Sequence, residues 1–236
     1  MISLGGALFG YLFWRASQGK SHAFSAFVLL GFVSPILTEL FYFDMLLFQL
    51  GWAYVITAAA CGLVHTAVTR KSPAAGAAAV FCMVWSFSSY QAFVPLYIAS
   101  VIGVFLMFFR RHIEDGRAIG FPDCVRYISL HIGLFLLAFL LNNVITRLWF
   151  SGSDYLNGQV YWGRIGVGAI LISILQAVEY DLIRCGVFYS RFYLVLVLLT
   201  LMVCFLDGRK NRMETGSKLL YMAAAAMLQA CPDFVA

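Results

Sequence analysis

Residues 192–206, FYLVLVLLTLMVCFL, decide the fold class because they form an unbroken apolar run without a charged residue. Strands of outer-membrane barrels instead alternate apolar and polar residues over about ten positions. A long run of this kind is typical of a transmembrane helix. Further apolar runs predict helices along the whole chain, near 2–16, 23–37, 45–68, 74–92, 93–109, 127–149, 162–180, 188–206 and 218–231.

The composition requires lipid as the solvent for much of the surface. Hydrophobic residues make up 62% of the 236 residues, charged residues 11%, and the mean hydropathy is +0.87. Soluble domains carry roughly 45–50% apolar and about 25% charged residues. At about 20 residues per span, the chain has room for roughly eight helices. We therefore predict an all-α, polytopic transmembrane bundle, with residues 1–236 forming a single domain.

The basic residues predict the orientation of the first five helices. The net charge of +5 sits in loops and indicates membrane orientation, not nucleic-acid binding. The joints at 36–44 and 88–95 contain no Lys or Arg, so we expect them to face outward. Three basic joints alternate with them and are expected to face the cytoplasm: Arg15 with Lys20, Arg70 with Lys71, and the polar segment Arg110–Arg126.

The second half does not follow this rule throughout. If 150–161 faces outward and 181–187 inward, the basic segment 207–218 falls outside. Two explanations stay open: one apolar run is re-entrant or interfacial, or the loop is a tolerated exception to the positive-inside rule.

Common soluble catalytic and metal motifs do not occur. The six cysteines are scattered without a CxxC, so we predict no metal site. His65 and His131 are isolated in the sequence and are interpreted as structural. No GxGxxG, P-loop, HExxH or GxSxG occurs, so soluble nucleotide-binding and hydrolase templates have no support, and the sequence leaves any cofactor unknown.

Two carboxylates near the membrane edge are candidate catalytic groups. Glu39 and Asp44 lie in SPILTELFYFD, a joint predicted to face outward, where Pro35 would kink or end a helix. Charged residues close to the bilayer are costly and often functional. Either carboxylate can act as a general base. The alternative is a solvated loop whose acidic residues avoid the inner face.

Two further groups are candidate substrate-binding residues. Tyr90 and Gln91 lie in a polar stretch between apolar runs and would line a pocket at the outer surface. Arg147, Asp154 and Arg164 cluster around the next loop expected outside, where cations beside aromatic residues can hold a phosphate and stack on a sugar. The structural alternatives are interfacial anchors and a helix-to-helix hydrogen bond.

Two stretches resemble a known family. The sequence LGFVSPILTELFYFD at 30–44, and SFSSYQAFVPLYIASVI at 86–102, are similar to elements of the bacterial type II Gtr glucosyltransferases, which add glucose to O-antigen. The order and spacing of the two stretches support the resemblance. The residues that match are Pro35, Glu39, Phe43, Tyr90 and Gln91.

The resemblance implies a GT-C-like enzyme that moves a glucosyl group from a polyprenyl-phosphate donor to a surface polysaccharide such as O-antigen. It implies Glu39 or Asp44 as the base, Tyr90 and Gln91 in the pocket, and Arg147 or Arg164 at the phosphate. A lipid-linked donor needs no nucleotide-binding motif.

The chain departs from the family pattern in one respect. Members usually carry an outward loop with adjacent acidic residues after an earlier helix, whereas Glu114-Asp115 here lies in a joint expected in the cytoplasm. We therefore expect an N-terminally truncated member or a divergent one with a relocated base. A transporter or flippase for a lipid-linked sugar and a non-catalytic membrane subunit remain the alternatives.

Overall fold

The computed structural model describes residues 2–17, 47–89, 93–115, 120–149, short parts of 168–180, 191–210 and 213–230. These residues contain α-helices and no β-strand, which confirms the all-α prediction for this part of the chain. The predicted helix near 23–37 lies outside the described residues. The helices are α1 (Ile2–Ala16), α2 (Leu47–Arg70), α3 (Pro73–Ser89), α4 (Phe93–Glu114), α5 (Phe121–Trp149), α6 (Arg191–Lys210) and α7 (Thr215–Ala230).

Three of these helices are long and apolar enough to cross a membrane. The segments are Phe48–Arg70, Phe93–His112 and Phe121–Thr146, and the 17-residue α3 is a shorter apolar helix. Large apolar side chains of α5, among them Ile132, Leu136 and Leu140, are exposed. A continuous apolar face of this kind is stable in contact with lipid, whereas water would disfavour it. The chain is therefore a membrane protein.

Residues 1–142 form one compact unit, and 143–236 form a second. The core of the first unit joins its five helices through one cluster of buried side chains. These include Phe9 of α1, Val64 of α2, Met83 of α3, Val104 of α4 and Ala138 of α5.

Helices α1 and α2 run in the same direction. Gly5, near the start of α1, faces the ring of Tyr54, and further along Leu12 approaches Gly62. A Cβ atom on Gly5 would overlap Cδ1 of Tyr54. The missing side chain therefore lets the α1 backbone approach the α2 aromatic ring, as small residues do at helix interfaces in membranes.

Helix α4 runs parallel to α2, and α5 runs antiparallel to both. Phe93 at the start of α4 clusters with Leu50 near the start of α2. Towards their other ends, the rings of Phe108 and His65 lie 5.7 Å apart. Tyr127, near the start of α5, makes a 2.9 Å hydrogen bond between its hydroxyl and Nδ1 of the same His65.

A two-residue turn makes α3 antiparallel to α2. Lys71 has a positive φ of 52°, and the N–H of Ser72 donates to the carbonyl of Ala67 at 3.2 Å. This is a Schellman ending, in which the left-handed position is usually Gly. The Ser72 hydroxyl then accepts from the N–H of Ala75, and Pro73 is the first residue of α3. Ser is favoured as the N-cap residue of a helix, and Pro is favoured at the first helical position.

These directions bring the described basic residues of the first unit to one end, which we call the basic end. It contains the C-termini of α1, α2 and α4 and the N-termini of α3 and α5, with Arg15, Arg70, Lys71, Arg111 and Arg126. The predicted grouping of the three basic joints is thus confirmed for their described residues. We call the opposite end, where α2 and α4 begin and α3 ends, the distal end.

The prediction of one polar joint over Arg110–Arg126 was wrong. Helix α4 continues to Glu114 and α5 already begins at Phe121. A helix can continue past the end of its apolar run, because side-chain contacts and favourable charges at its end stabilise further turns in water. Arg111 also lies 3.7 Å from the Asp115 carboxylate, one turn away, and basic residues are favoured in a last turn.

The second unit contains the antiparallel pair α6 and α7. Helix α6 continues to Lys210 and α7 begins at Thr215, so part of the basic segment 207–218 is helical and not loop. The Lys218 ammonium lies 3.6 Å above the centre of the Phe205 ring. The Lys218 stem passes so close to Gly208 that a Cβ there would lie 2.9 Å from its Cγ.

We expect Gly5→Ala to destabilise the first unit by about 1–3 kcal/mol, because the added methyl must displace the Tyr54 ring from a packed interface. Gly133→Ala is the matched control, since Gly133 has no atom within 4 Å of an added Cβ. That change should be neutral or stabilise by up to about 1 kcal/mol. Thermal unfolding of both variants in detergent tests the contact, and equal midpoints would contradict it.

Candidate functional site

Most of the site residues predicted from the sequence lie outside the described part of the chain. The exception is Arg147, whose backbone belongs to the last turn of α5. The roles of all seven residues therefore stay predictions. The six outside the described residues are Glu39, Asp44, Tyr90, Gln91, Asp154 and Arg164.

Three described helices next to the two family-like stretches, α2, α3 and α4, each have one end at the distal end. Asp44 precedes the start of α2 by three residues, and Tyr90 and Gln91 connect the last residue of α3 to the first of α4. Phe93, the first residue of α4, packs against Leu50 and Ala53 of α2. The chain therefore continues from the first stretch into α2 at the distal end, and the described ends of α3 and α4 in the second stretch lie at the same end.

Hydrogen bonds between helices hold the distal half in register. The hydroxyls of Thr57 in α2 and Ser86 in α3 are bonded to each other, and the Thr57 hydroxyl also donates to the carbonyl of Ala53 at 2.7 Å. Nearer the end, the Ser88 hydroxyl donates to the side-chain oxygen of Asn142 in α5. Two serines of the polar stretch, Ser86 and Ser88, therefore connect helices, a role the sequence had suggested for Gln91.

Tyr97 is a buried polar residue of the distal half that the sequence analysis did not single out. It is 2% exposed, and its ring stacks on Phe135 at 6.0 Å and contacts the edge of Phe87. Its hydroxyl has no hydrogen-bond partner among the described residues. Tyr97 lies about 6 Å along α4 from Phe93, at 1.5 Å per residue. The sequence signal was weak, since Tyr within an apolar run is also a common membrane-edge residue.

At the basic end, the two histidines that look isolated in the sequence meet at one tyrosine. His65 bonds to the Tyr127 hydroxyl, and Nδ1 of His131 lies 2.9 Å from the Tyr127 carbonyl oxygen. A carbonyl only accepts, so Nδ1 of His131 is the donor. All three residues are buried. The contacts satisfy their polar groups within the bundle, which fits a structural role.

The comparison with protein families identifies the class. The family model of the glucosyl transferase GtrII family matches residues 1–231, almost the whole chain. The chain therefore belongs to this family, as the two sequence stretches had indicated. The searches of curated proteins and of solved structures found no significant match.

We expect Tyr97→Phe to raise the stability of the bundle by about 1–3 kcal/mol, because it removes a buried hydroxyl that no described group satisfies. Tyr127→Phe is the matched control. It removes a buried hydroxyl that is bonded to His65, and it should lower stability by about 1 kcal/mol. Unfolding midpoints in detergent compare the two, and a loss of stability in both variants would show that the Tyr97 hydroxyl has a partner.

Proposed function

We propose that this protein is a glucosyltransferase of the bacterial inner membrane with a GT-C-like bundle of roughly eight helices. Its donor is glucose linked to polyprenyl phosphate, and its acceptor is a cell-surface polysaccharide such as O-antigen. The observation that carries the proposal is membership of the glucosyl transferase GtrII family over residues 1–231. The three candidate spans fit an enzyme whose donor is dissolved in the bilayer.

The reaction needs a base and a group that stabilises the leaving phosphate. A hydroxyl oxygen of the acceptor attacks C1 of the glucosyl group while the bond from C1 to the phosphate oxygen breaks. The hydroxyl proton passes to a carboxylate, and polyprenyl phosphate leaves. General-base catalysis by one positioned carboxylate typically raises the reaction rate 10²–10⁴-fold.

In this proposal Glu39 or Asp44 accepts the proton. Tyr90 and Gln91 bind the sugar, and Asp154 accepts a hydrogen bond from a sugar hydroxyl. Arg147 or Arg164 stabilises the leaving phosphate. Helices α2, α3 and α4 each have one end at the distal end, and the two stretches that carry Glu39, Asp44, Tyr90 and Gln91 connect to those ends. This supports placing these four residues in one site. Placing the transfer on the outer face agrees with the absence of Lys and Arg from 36–44 and 88–95.

We expect Glu39→Gln to lower the rate of glucosyl transfer by about 100-fold or more, because the amide cannot take up the acceptor proton. The measurement uses purified protein in liposomes, radiolabelled polyprenyl-phosphate glucose and isolated O-antigen. Asp44→Asn tests the second carboxylate in the same assay. Asp115→Asn is the control, since Asp115 lies at the basic end and pairs with Arg111.

Each contrary outcome has a defined meaning. Full activity in both Glu39→Gln and Asp44→Asn would reject these carboxylates as the base. Movement of the labelled donor across the liposome membrane without transfer would favour a flippase. Neither transfer nor movement by the wild-type protein would favour a non-catalytic subunit.

A further inference from the structure

An open groove lies at the basic end of the first unit, away from the helix ends that carry the predicted catalytic stretch. Helices α2 to α5 line it, and its volume is about 1420 Å³. The turn between α2 and α3 forms part of its rim, with Lys71 and Ser72. The groove plays no part in the proposed glucosyl transfer.

The rim of the groove is positively charged. Lys71 and Arg126 line it and are exposed, and His112 of α4 contributes an imidazole. Asp123 is the one acidic residue among the described lining residues. Two cations against one carboxylate leave one net positive charge while His112 is neutral. A phosphodiester carries one negative charge and accepts hydrogen bonds from both Arg and Lys.

Lys71 occupies a position where the backbone favours another residue. Its φ of 52° at the end of α2 is the left-handed conformation, which costs an L-residue roughly 1 kcal/mol and is usually taken by Gly. The turn thus supplies an ammonium group at the rim from a position where a side chain is normally disfavoured.

Below the rim, the wall of the groove becomes apolar along one face of α5. Leu130, Leu134 and Leu137 follow Arg126 at helical spacing, and all of them line the groove. From Arg126 to Leu137 the helix rises about 16 Å at 1.5 Å per residue. This is about half of the roughly 30 Å hydrocarbon core of a bilayer. The apolar track therefore has the depth of one lipid leaflet.

We infer that this groove binds a phospholipid with a headgroup of net charge −1, of the phosphatidylglycerol type. Lys71 and Arg126 contact its phosphate, and Asp123 accepts hydrogen bonds from the glycerol hydroxyls of the headgroup. An acyl chain lies along Leu130, Leu134 and Leu137. The lipid belongs to the leaflet at the basic end, which the positive-inside rule predicts to be the cytoplasmic one.

The apolar track distinguishes a lipid from a soluble anion. A free phosphate needs only the rim, whereas the leucines give binding energy only to a ligand with a hydrocarbon chain. Basic pockets between transmembrane helices on the cytoplasmic side are known to recognise lipid headgroups. The net positive charge favours an anionic lipid over a zwitterionic one.

The test is native mass spectrometry of the full chain in an uncharged detergent, titrated with phosphatidylglycerol or with phosphatidylethanolamine. We expect phosphatidylglycerol to bind about fivefold more tightly, the effect of one charge near the membrane surface. Lys71→Gln combined with Arg126→Gln should weaken its binding about tenfold or more and abolish the preference. The control variant, Arg70→Gln with Arg209→Gln, removes the same charge from exposed residues that do not line the groove. It should leave the affinity for phosphatidylglycerol and the preference over phosphatidylethanolamine unchanged.

A second pair of variants tests the apolar wall. Ala77 and Ala78 are adjacent and exposed in α3, but only Ala77 lines the groove. Ala77→Phe fills the groove and should weaken phosphatidylglycerol binding several-fold, whereas Ala78→Phe should not. The proposal would be overturned if the two charge variants lost affinity for phosphatidylglycerol equally. It would also be overturned if Ala77→Phe and Ala78→Phe bound this lipid with the same affinity. Displacement of the lipid by millimolar inorganic phosphate would instead identify a soluble-anion site and overturn the assignment to a lipid.

Discussion

The first unit depends on the close antiparallel contact of α2 and α3. A two-residue turn at Lys71 and Ser72 reverses the chain and brings the two helices together. The contact is made near the turn by small residues, since a Cβ on Gly76 would lie 3.8 Å from that of Ala67. Near the other end it is held by the hydrogen bond between the hydroxyls of Thr57 and Ser86. Lipid gives no hydrophobic force between helices, so close packing and such polar contacts must supply the association.

The sequence predicted the apolar centres of the described helices well and several of their ends within three residues, but it missed where α4 ends and where α5 begins. Hydropathy detects the part of a helix that lies in hydrocarbon, and this part of α2, α4 and α5 agrees with the prediction. It does not detect the turns that continue into water, so α4 runs five residues past 109 and α5 begins six before 127. The helix signals were present in both cases, with Pro122 and Asp123 in the first turn of α5 and basic residues in the last turn of α4. The extent of an apolar run alone does not contain these capping signals.

Contacts between helices could not be predicted from one sequence. His65 and Tyr127 are 62 residues apart, and nothing in either local pattern indicates the other as its partner. For the same reason Tyr97 was not recognised as a buried hydroxyl. The functional prediction rested on a different kind of signal, the order and spacing of two short stretches, and the family match confirms the family. The roles of Glu39, Asp44, Tyr90 and Gln91 remain predictions, because family membership identifies a class and not the chemistry of single residues.

The distribution of charge in the first unit bears on the choice between transfer and transport. In its described helices the stretches 2–14, 48–69, 73–89, 93–109 and 127–142 contain no Lys, Arg, Asp or Glu. The buried polar residues between the two ends are neutral or hydrogen-bonded within the bundle, such as Thr57, Ser86 and His131. A charged phosphate crossing this part of the bundle would lose its hydration without gaining a cation in exchange. The described charged residues of the first unit (residues 1–142) lie at the basic end, and the predicted carboxylates precede in sequence the start of α2, which lies at the distal end. This arrangement favours chemistry at a membrane surface over passage through these helices, and so favours a transferase over a flippase.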